Sequence, residues 1–232
     1  MTAKTKKRLL LYGILAILLL PLWMWLAWLL TPKKQLVMAI IDKTEISRAG
    51  QEQVSLTWIL NHERYTKTPT KSYKVGDDYF GFFPQKNEKF RVKGLERFTE
   101  SQLEQLSQDC NATYFTDTYG VYNNEWFSGK SSTERSGILY GGMSRQDLRF
   151  LQKMKEKKKL ILTEFNTIGS PTDSTIRQEF EHLFGLQWSG WIGRYFASFD
   201  TTVNKELPRW LIDNYKAQHG GQWPFTKAGI AL

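Results

Sequence analysis

An uncharged stretch of 22 residues, Leu9 to Leu30, restricts this chain more than any other feature of its sequence. As one α-helix it measures about 33 Å, enough to cross a bilayer core of about 30 Å. Pro21 lies inside the stretch, but proline is tolerated in membrane helices. Its second half is rich in tryptophan, a residue type enriched at the membrane–water interface. The stretch therefore predicts a transmembrane helix over residues 9–30.

The flanking charges predict the orientation of this helix. The basic residues before it are Lys4, Lys6, Lys7 and Arg8, whereas only Lys33 and Lys34 follow it closely. The larger positive charge stays in the cytoplasm. We therefore expect residues 1–8 to be a cytoplasmic tail and residues 31–34 a linker. Residues 35–232 are expected to form a domain outside the cytoplasmic membrane of a single-pass protein, with the lipid bilayer as its partner through residues 9–30.

A cleaved signal peptide is the alternative interpretation of the N-terminus. Its apolar core is shorter, about 7–15 residues, and small residues mark the cleavage site. Here the run is longer and ends in Trp28-Leu29-Leu30-Thr31-Pro32, which offers no such site. An uncleaved signal anchor is therefore the stronger prediction.

Most of the remaining charge is spread evenly along the chain. The protein has 32 Lys+Arg and 23 Asp+Glu, a net charge of +9, and without the first eight residues this falls to +5. The one dense basic run, residues 155–159, follows a predicted helix, where cations favour the helix dipole. Nucleic acid is therefore not an expected partner. A single cysteine also excludes an internal disulfide framework.

Apolar runs alternate with helical patterns after residue 35. Strands are predicted at 35–41, 79–84, 112–116, 136–140 and 159–165, and helices at 49–61 and from residues 99, 144 and 173. This order predicts an α/β fold, flavodoxin-like, with a mainly parallel sheet and helices on both faces. A loop is expected from residue 118 to about 135. After Gly185 the sequence is aromatic and glycine-punctuated, with one or two strands and a helix over residues 207–218.

The last six residues, 227–232, read as an apolar strand without a polar end. We expect the natural chain to continue beyond them, although a genuine last strand fits the same pattern.

Ligands of open parallel sheets bind beyond the carboxyl ends of the strands. This rule selects the ligand-binding candidates Asp42, Asp117, Tyr119, Gly141, Gly142, Glu164 and Asn166, with Arg194 as a further lining residue.

Four of these positions leave alternatives open. Glu164 ends a strand before a polar loop, and it either contacts a ligand or is a structural group that caps a helix or pairs with Arg194. Asp117 and Glu164 are the candidate catalytic residues if they form the carboxylate pair of an acid–base hydrolase. The Gly141-Gly142 turn either holds an anion at a helix N-terminus or is only a tight turn.

Other chemistry-bearing residues give weaker signals. The histidines at 62, 182 and 219 have no second ligand at metal spacing, so neither a metal nor another cofactor is expected. Cys110 is predicted to be a small buried hydrophobe. An aromatic group after Gly185 either stacks on sugar rings or flanks the core; it consists of Trp188, Trp191, Tyr195 and Phe196.

The strand Leu36–Ile41, the Tyr140-Gly141-Gly142 turn and the strand–elbow–helix pattern around Leu160–Thr172 resemble the class I glutamine amidotransferase-like superfamily, and in particular its membrane-attached bacterial members. The resemblance covers residues 35–185. Active members carry a cysteine in the elbow and a downstream His–Glu pair. Here Glu164 or Phe165 occupies the elbow and His182 does not restore a triad, so the resemblance implies a degenerate member that has the fold without glutaminase activity.

Three functions follow as hypotheses. The first is a non-catalytic domain of the cell envelope that binds a small ligand, a glycan or an envelope partner. The second is an envelope hydrolase that uses Asp117 and Glu164 as acid and base. The third is a structural subunit of a membrane complex, which would show an exposed apolar patch instead of a pocket.

Overall fold

The computed structural model describes residues 3–127 and 136–231, which form two compact units that meet in sequence at Phe184 and Gly185. The helices are α1 (Ala3–Leu18), α2 (Leu20–Leu30), α3 (Val54–His62), α4 (Glu100–Asp109), α5 (Asn123–Trp126), α6 (Arg145–Glu156), α7 (Ser174–Phe184) and α8 (Arg209–Gln218). The strands are β1 (Lys34–Gln35), β2 (Met38–Asp42), β3 (Tyr65–Thr66), β4 (Phe80–Pro84), β5 (Phe90–Lys93), β6 (Ala112–Phe115), β7 (Val121–Tyr122), β8 (Ile138–Tyr140), β9 (Leu160–Thr163), β10 (Arg194–Phe196) and β11 (Gly229–Ala231). Single 3₁₀ turns cover Leu95–Arg97 and Phe165–Thr167.

A five-stranded sheet in the order β5-β4-β2-β6-β9 organises the first unit. Strand β2 pairs in parallel with β4 and β6, and β6 pairs in parallel with β9. The hairpin strand β5 runs antiparallel to β4. The α/β prediction is therefore confirmed, with a mixed central sheet. Strand β5 was not predicted, although Phe90–Lys93 shows the apolar–basic alternation of a half-exposed strand; the segment is only four residues long and carries no apolar run.

Helices cover both faces of this sheet. Neighbouring strand residues point to opposite faces, so Ile41 joins a core with α4, α6 and α7, whereas Ile40 joins a core with Leu60 of α3. The first core also holds Phe115 of β6, Leu151 of α6 and other apolar side chains.

Two helices begin where the sequence predicts. Thr99 caps α4 and Ser144 caps α6, and each forms a reciprocal capping box with the residue three positions later. Gly185 follows α7 with a φ of +67°, a conformation typical of a helix C-terminus.

The predicted strand 136–140 is placed differently from the expectation. Strand β8 pairs antiparallel with β7 in a separate two-stranded sheet. Strand β6 is already flanked by β2 and β9, so the central sheet has no free position beside it. The loop expected from residue 118 instead contains β7 and α5, and its part at 128–135 lies outside the described residues.

Strand β9 is an edge strand and not the buried strand that its sequence suggests. Leu160 and Leu162 are 58% and 39% exposed. Leu160 and Leu162 pair with Ala112 and Tyr114 of β6, so they point to the same face of the sheet as α3. Helix α3 packs on this face over β2 and β4 and leaves β9 uncovered. The apolar run of β9 predicts a strand, but it does not show whether a helix covers that strand.

The apolar N-terminus forms two helices instead of one. No single helix in the described chain is long and apolar enough to cross a bilayer, but Leu10–Leu18 and Leu20–Leu30, bent by 49°, reach that length and composition together. The break lies next to Pro21, which has no N–H to donate to the preceding turn. The expected continuous helix over residues 9–30 is therefore not shown.

The second unit is small and aromatic. Strands β10 and β11 pair antiparallel, and α8 lies between them in sequence. A cavity of about 520 Å³ in this unit is lined by Phe199, Tyr215, Trp223, Phe225 and residues 226–231, among others.

Candidate functional site

The carboxyl ends of β2, β6 and β9 lie at one edge of the sheet, because these strands are parallel and adjacent. The chain leaves β2 toward β4 on one side and later enters β6 on the other side. Such a reversal is the switch point at which α/β sheets bind ligands. Asp42, Asp117 and Glu164 stand at the ends of these three strands.

Asp117 is held by its own loop and by the loop after β9. The Tyr119 backbone N–H donates to Asp117 Oδ1 over 2.6 Å, and Asn166 Nδ2 donates to Asp117 Oδ2 over 3.0 Å. Two loops that are 49 residues apart in sequence therefore meet at this carboxylate. Tyr119 itself is exposed and its ring lies against Tyr122.

Glu164 is engaged by a tyrosine of the neighbouring strand. The hydroxyl of Tyr114 donates to Glu164 Oε1. Burial, and then the nearby Glu164 carboxylate, raise the pKa of Tyr114, so its phenol remains a donor. The Glu164 side chain makes no capping hydrogen bond with the 3₁₀ turn that follows it. Arg194 belongs to the second unit, where it pairs with Glu206 at 3.2 Å.

Two further carboxylates near this edge are almost fully buried. Asp42 is 0% exposed, and its Oδ1 accepts the Thr44 N–H over 3.1 Å. Glu45 is 4% exposed, and its Oε1 accepts the Ser47 N–H over 2.8 Å. Within residues 3–127 and 136–231, the second oxygen of each carboxylate has no hydrogen-bonding partner. Unsatisfied buried oxygens of this kind are uncommon and require an explanation.

The carboxylates of this region repel one another. Burial, aided by Glu45, Glu52 and Asp117, raises the pKa of Asp42 to about 7. Burial also raises the pKa of Glu52, and Asp117, Glu164 and Glu45 add to that rise. We call Asp42, Glu45, Glu52, Asp117 and Glu164 the acidic edge.

Lys43 does not neutralise the acidic edge, although it follows Asp42 directly. Its Nζ lies 2.5 Å from Glu96 Oε1, 2.5 Å from Asp147 Oδ2 and 3.0 Å from the Gly142 carbonyl oxygen. Burial acts to lower the pKa of Lys43, but Asp147 and Glu96 outweigh it and raise this pKa. Lys43 therefore pairs with Glu96 and Asp147 in a buried ion-pair network, and its charge is not available to the acidic edge.

The Gly141–Gly142 turn contributes a carbonyl oxygen to this network, and its backbone packs closely against Gly120. The Gly142 N–H donates to the Thr118 carbonyl over 2.7 Å. A Cβ on Gly120 would lie 2.4 Å from the Tyr140 carbonyl oxygen, so the two turns touch through glycine. At the start of α6, the Asp147 carboxylate accepts the Ser144 N–H over 2.7 Å. A side-chain carboxylate thus already lies where an anion would bind.

The strand-end rule found Asp42, Asp117, Glu164 and Asn166, which the structure gathers at one edge. It missed Glu45 and Glu52, which lie in the segment between β2 and α3, and Tyr114, which lies inside a strand. The spacing of these residues follows no motif. One signal in the sequence could have indicated Glu45, because Asp42-Lys43-Thr44-Glu45 places charged residues directly after a buried strand.

The described residues contain no group of three or more His, Cys, Asp or Glu side chains arranged to hold a metal ion. Cys110 is a buried free thiol, and burial raises its pKa to about 11. It precedes β6, at the opposite end of that strand from Asp117. The thiol is therefore remote from the elbow at Glu164. In the second unit, Trp191 and Tyr195 are exposed, whereas Phe196 is buried.

Comparison of the chain with protein-family models, with curated proteins and with solved structures finds no match in any of the three.

Proposed function

We propose that this chain is a membrane-attached binding protein whose ligand carries a positively charged group and binds at the acidic edge. The observation that carries the proposal is the pair of buried, unpartnered carboxylate oxygens on Asp42 and Glu45 in a cluster of five acids. The adjacent cation, Lys43, is already paired elsewhere.

The electrostatics favour a cationic ligand over a neutral one. Like charges that raise one another's pKa store repulsion, and an opposite charge within about 4–6 Å relieves it. An ammonium group also donates up to three hydrogen bonds. Because no metal-binding arrangement is found in the described residues, an amine of a small ligand or of an aminated envelope glycan fits better than a bare metal ion.

The contacts of the two predicted catalytic carboxylates favour binding over hydrolysis. Asp117 accepts hydrogen bonds on both oxygens, and Glu164 accepts one from Tyr114. Both side chains act as hydrogen-bond acceptors in these contacts, which suits recognition of a group that donates hydrogen bonds, such as an ammonium. The elbow after β9 also carries Glu164 where active members of the amidotransferase-like superfamily carry a cysteine. Both points support a degenerate amidotransferase-like domain without catalysis.

Attachment to the cytoplasmic membrane is part of the proposal. The bent pair of apolar helices has the length and composition of a span, and the basic tail before it favours an internal N-terminus with the domain outside.

A binding experiment with amines tests the ligand class. The full chain in detergent is titrated with putrescine, spermidine and glucosamine by isothermal calorimetry. We expect at least one amine to bind, and Asp117→Asn or Glu164→Gln to weaken its affinity by about tenfold, which corresponds to about 1.4 kcal/mol.

Glu156→Gln is the matched control, since it removes one exposed carboxylate from the end of α6. It should leave affinity unchanged. Equal affinity of all three variants, or no binding of any of the amines, would refute the proposed site.

A further inference from the structure

Helix α3 has an apolar face that no other described element covers. Its exposed positions are 54, 55, 58, 59 and 62, which share one side of an α-helix, while Thr57 and Leu60 are buried on the other. Val54, Trp58 and Ile59 make this exposed side apolar, and Trp58 is 63% exposed. An exposed apolar helix face of this kind marks a contact surface.

The composition of α3 fits a lipid interface. Residues 54–62 contain no acidic residue and no Lys or Arg. Tryptophan, which Trp58 contributes, prefers the headgroup level of a bilayer.

A chain of side-chain contacts joins α3 to the end of the apolar N-terminal segment. Trp28 Nε1 donates to the His62 carbonyl oxygen over 2.6 Å. The His62 ring stacks on Trp58, with centroids 4.7 Å apart and an interplanar angle of 11°. The Arg64 guanidinium lies 4.8 Å from the centre of the Trp28 ring.

The backbone reinforces this connection. Strand β1, which follows α2 after three residues, pairs with β3, which follows α3. Lys34 of β1 lies opposite Tyr65 in the register. The C-terminal end of α3 is thereby fixed next to the point where the chain leaves α2. Lys33, Lys34 and Arg64 lie at the same point together with the exposed Glu63, so the local charge is net positive, which favours anionic headgroups.

We propose that the exposed face of α3 lies in the headgroup region of an anionic phospholipid bilayer, with the helix parallel to the membrane surface. This inference rests on the proposed membrane attachment of α1 and α2. Lipid is the expected partner of this face, because the contacts from Trp28 through His62 to Trp58 hold the face next to the proposed membrane segment.

Site-directed fluorescence quenching tests the inference. Single cysteines at Val54, Ile59, Leu30 and Glu156 are labelled with an environment-sensitive maleimide dye in the full chain. Cys110 is buried, and the unmodified chain treated with the same dye gives the blank. The labelled proteins are reconstituted in phosphatidylcholine–phosphatidylglycerol vesicles that carry a nitroxide near the headgroup.

We expect the labels at Val54 and Ile59 to be quenched to a similar degree, because these positions flank the centre of the exposed face on opposite sides and a helix parallel to the surface then holds both at one depth. Their quenching should exceed that at Glu156 by at least about twofold, as an interfacial helix lies roughly 5–10 Å into the headgroup boundary. Introducing Ile59→Glu should reduce quenching of the Val54 label, since it places a charge in the apolar face.

Three outcomes separate the possible failures. An unquenched Leu30 label would overturn the membrane attachment and this inference together. A quenched Leu30 label with Val54 and Ile59 at the Glu156 level would overturn this inference alone. Labels shielded from an aqueous quencher but not reached by the lipid quencher would assign the face to protein, either a second copy or another chain, and would also overturn it.

Discussion

Asp42 and Lys43 are neighbours in sequence with opposite electrostatic situations. The lysine has three acceptors within 3.0 Å, whereas one oxygen of the aspartate has no partner in the described chain. Burial of an unpaired carboxyl favours its protonated form, which is why the pKa of Asp42 rises. The end of β2 therefore contains one permanently charged group and one that titrates near neutrality.

The titration of Asp42 makes stability depend on pH. Its pKa is about 7 in the folded protein and 3.8 for a free carboxyl, so the folded state holds more protons between these values. The associated stability is fully present below about pH 4 and is lost as the pH rises through about 7. We expect Asp42→Asn to be more stable than the parent at pH 8, by roughly 1–3 kcal/mol, and equal to it at pH 4.

Urea unfolding of the full chain in detergent at both pH values measures this difference. Asp213→Asn, in exposed α8, is the control and should give the same change at both pH values. A destabilised Asp42→Asn protein at pH 8 would show that the charged form of Asp42 is the favoured one.

Part of the acidic edge could be predicted from the sequence. Parallel strands end at a common edge, so Asp42, Asp117 and Glu164 were brought together by strand order alone. The partners of Lys43 were not predictable, because Glu96 and Asp147 lie 53 and 104 residues away in sequence. No local pattern encodes contacts at such separations.

At the level of elements, Lys43 ties β2 to α6 and to the turn at Leu95–Arg97. Asp147 both caps α6 and pairs with this lysine, so one carboxylate fixes the helix start against the strand end. Buried pairs of this kind are costly to break, because the remaining charge stays in a low dielectric.

We therefore expect Lys43→Met to destabilise the protein by about 3–5 kcal/mol in urea unfolding. The triple variant Lys43→Met, Glu96→Gln, Asp147→Asn should recover a large part of this loss, since no buried charge remains. Lys153→Met is the control; its partners Glu100 and Glu104, at 2.7 Å and 3.2 Å, are exposed, and loss of these two ion pairs should cost much less stability than loss of Lys43. A mild effect of Lys43→Met would contradict this view of the network.

Element prediction succeeded where local chemistry decides and was wrong where tertiary position decides. The caps at Thr99 and Ser144 are local, and both helices start there. Whether a strand joins the central sheet or lies at its edge depends on its neighbours, and the expectations for β8 and β9 failed for that reason.

For the whole molecule, the charge asymmetry around the apolar segment sets the expected topology. Four basic residues precede it and two follow closely. We expect a protease added to intact cells to digest the domain of the parent protein. Neutralising the tail by replacing its four basic residues with glutamine, and adding two lysines after Leu30, should increase the protected fraction.

Immunoblotting for the domain before and after cell lysis measures that fraction. The tail variant without the added lysines serves as an intermediate. Complete protection of the parent domain in intact cells would place it in the cytoplasm and contradict the topology.

The composition of the sequence changes after Gly185, and the boundary between the two compact units falls at the same residue. The cavity in the second unit was not predicted, because it is formed by aromatic side chains from α8 and the segment before β11. Their meeting depends on the fold of that unit.

Two close backbone approaches bear on how relatives of this chain can be recognised. A Cβ on Gly81 would lie 1.5 Å from the Asp42 carbonyl oxygen, and Gly120 and Gly141 each leave no room for a Cβ on the other. These constraints come from the strands and turns and are independent of any ligand. A distant relative that has exchanged the whole acidic edge should still carry glycine at these three positions, so their spacing is a fingerprint of the fold and not of the activity.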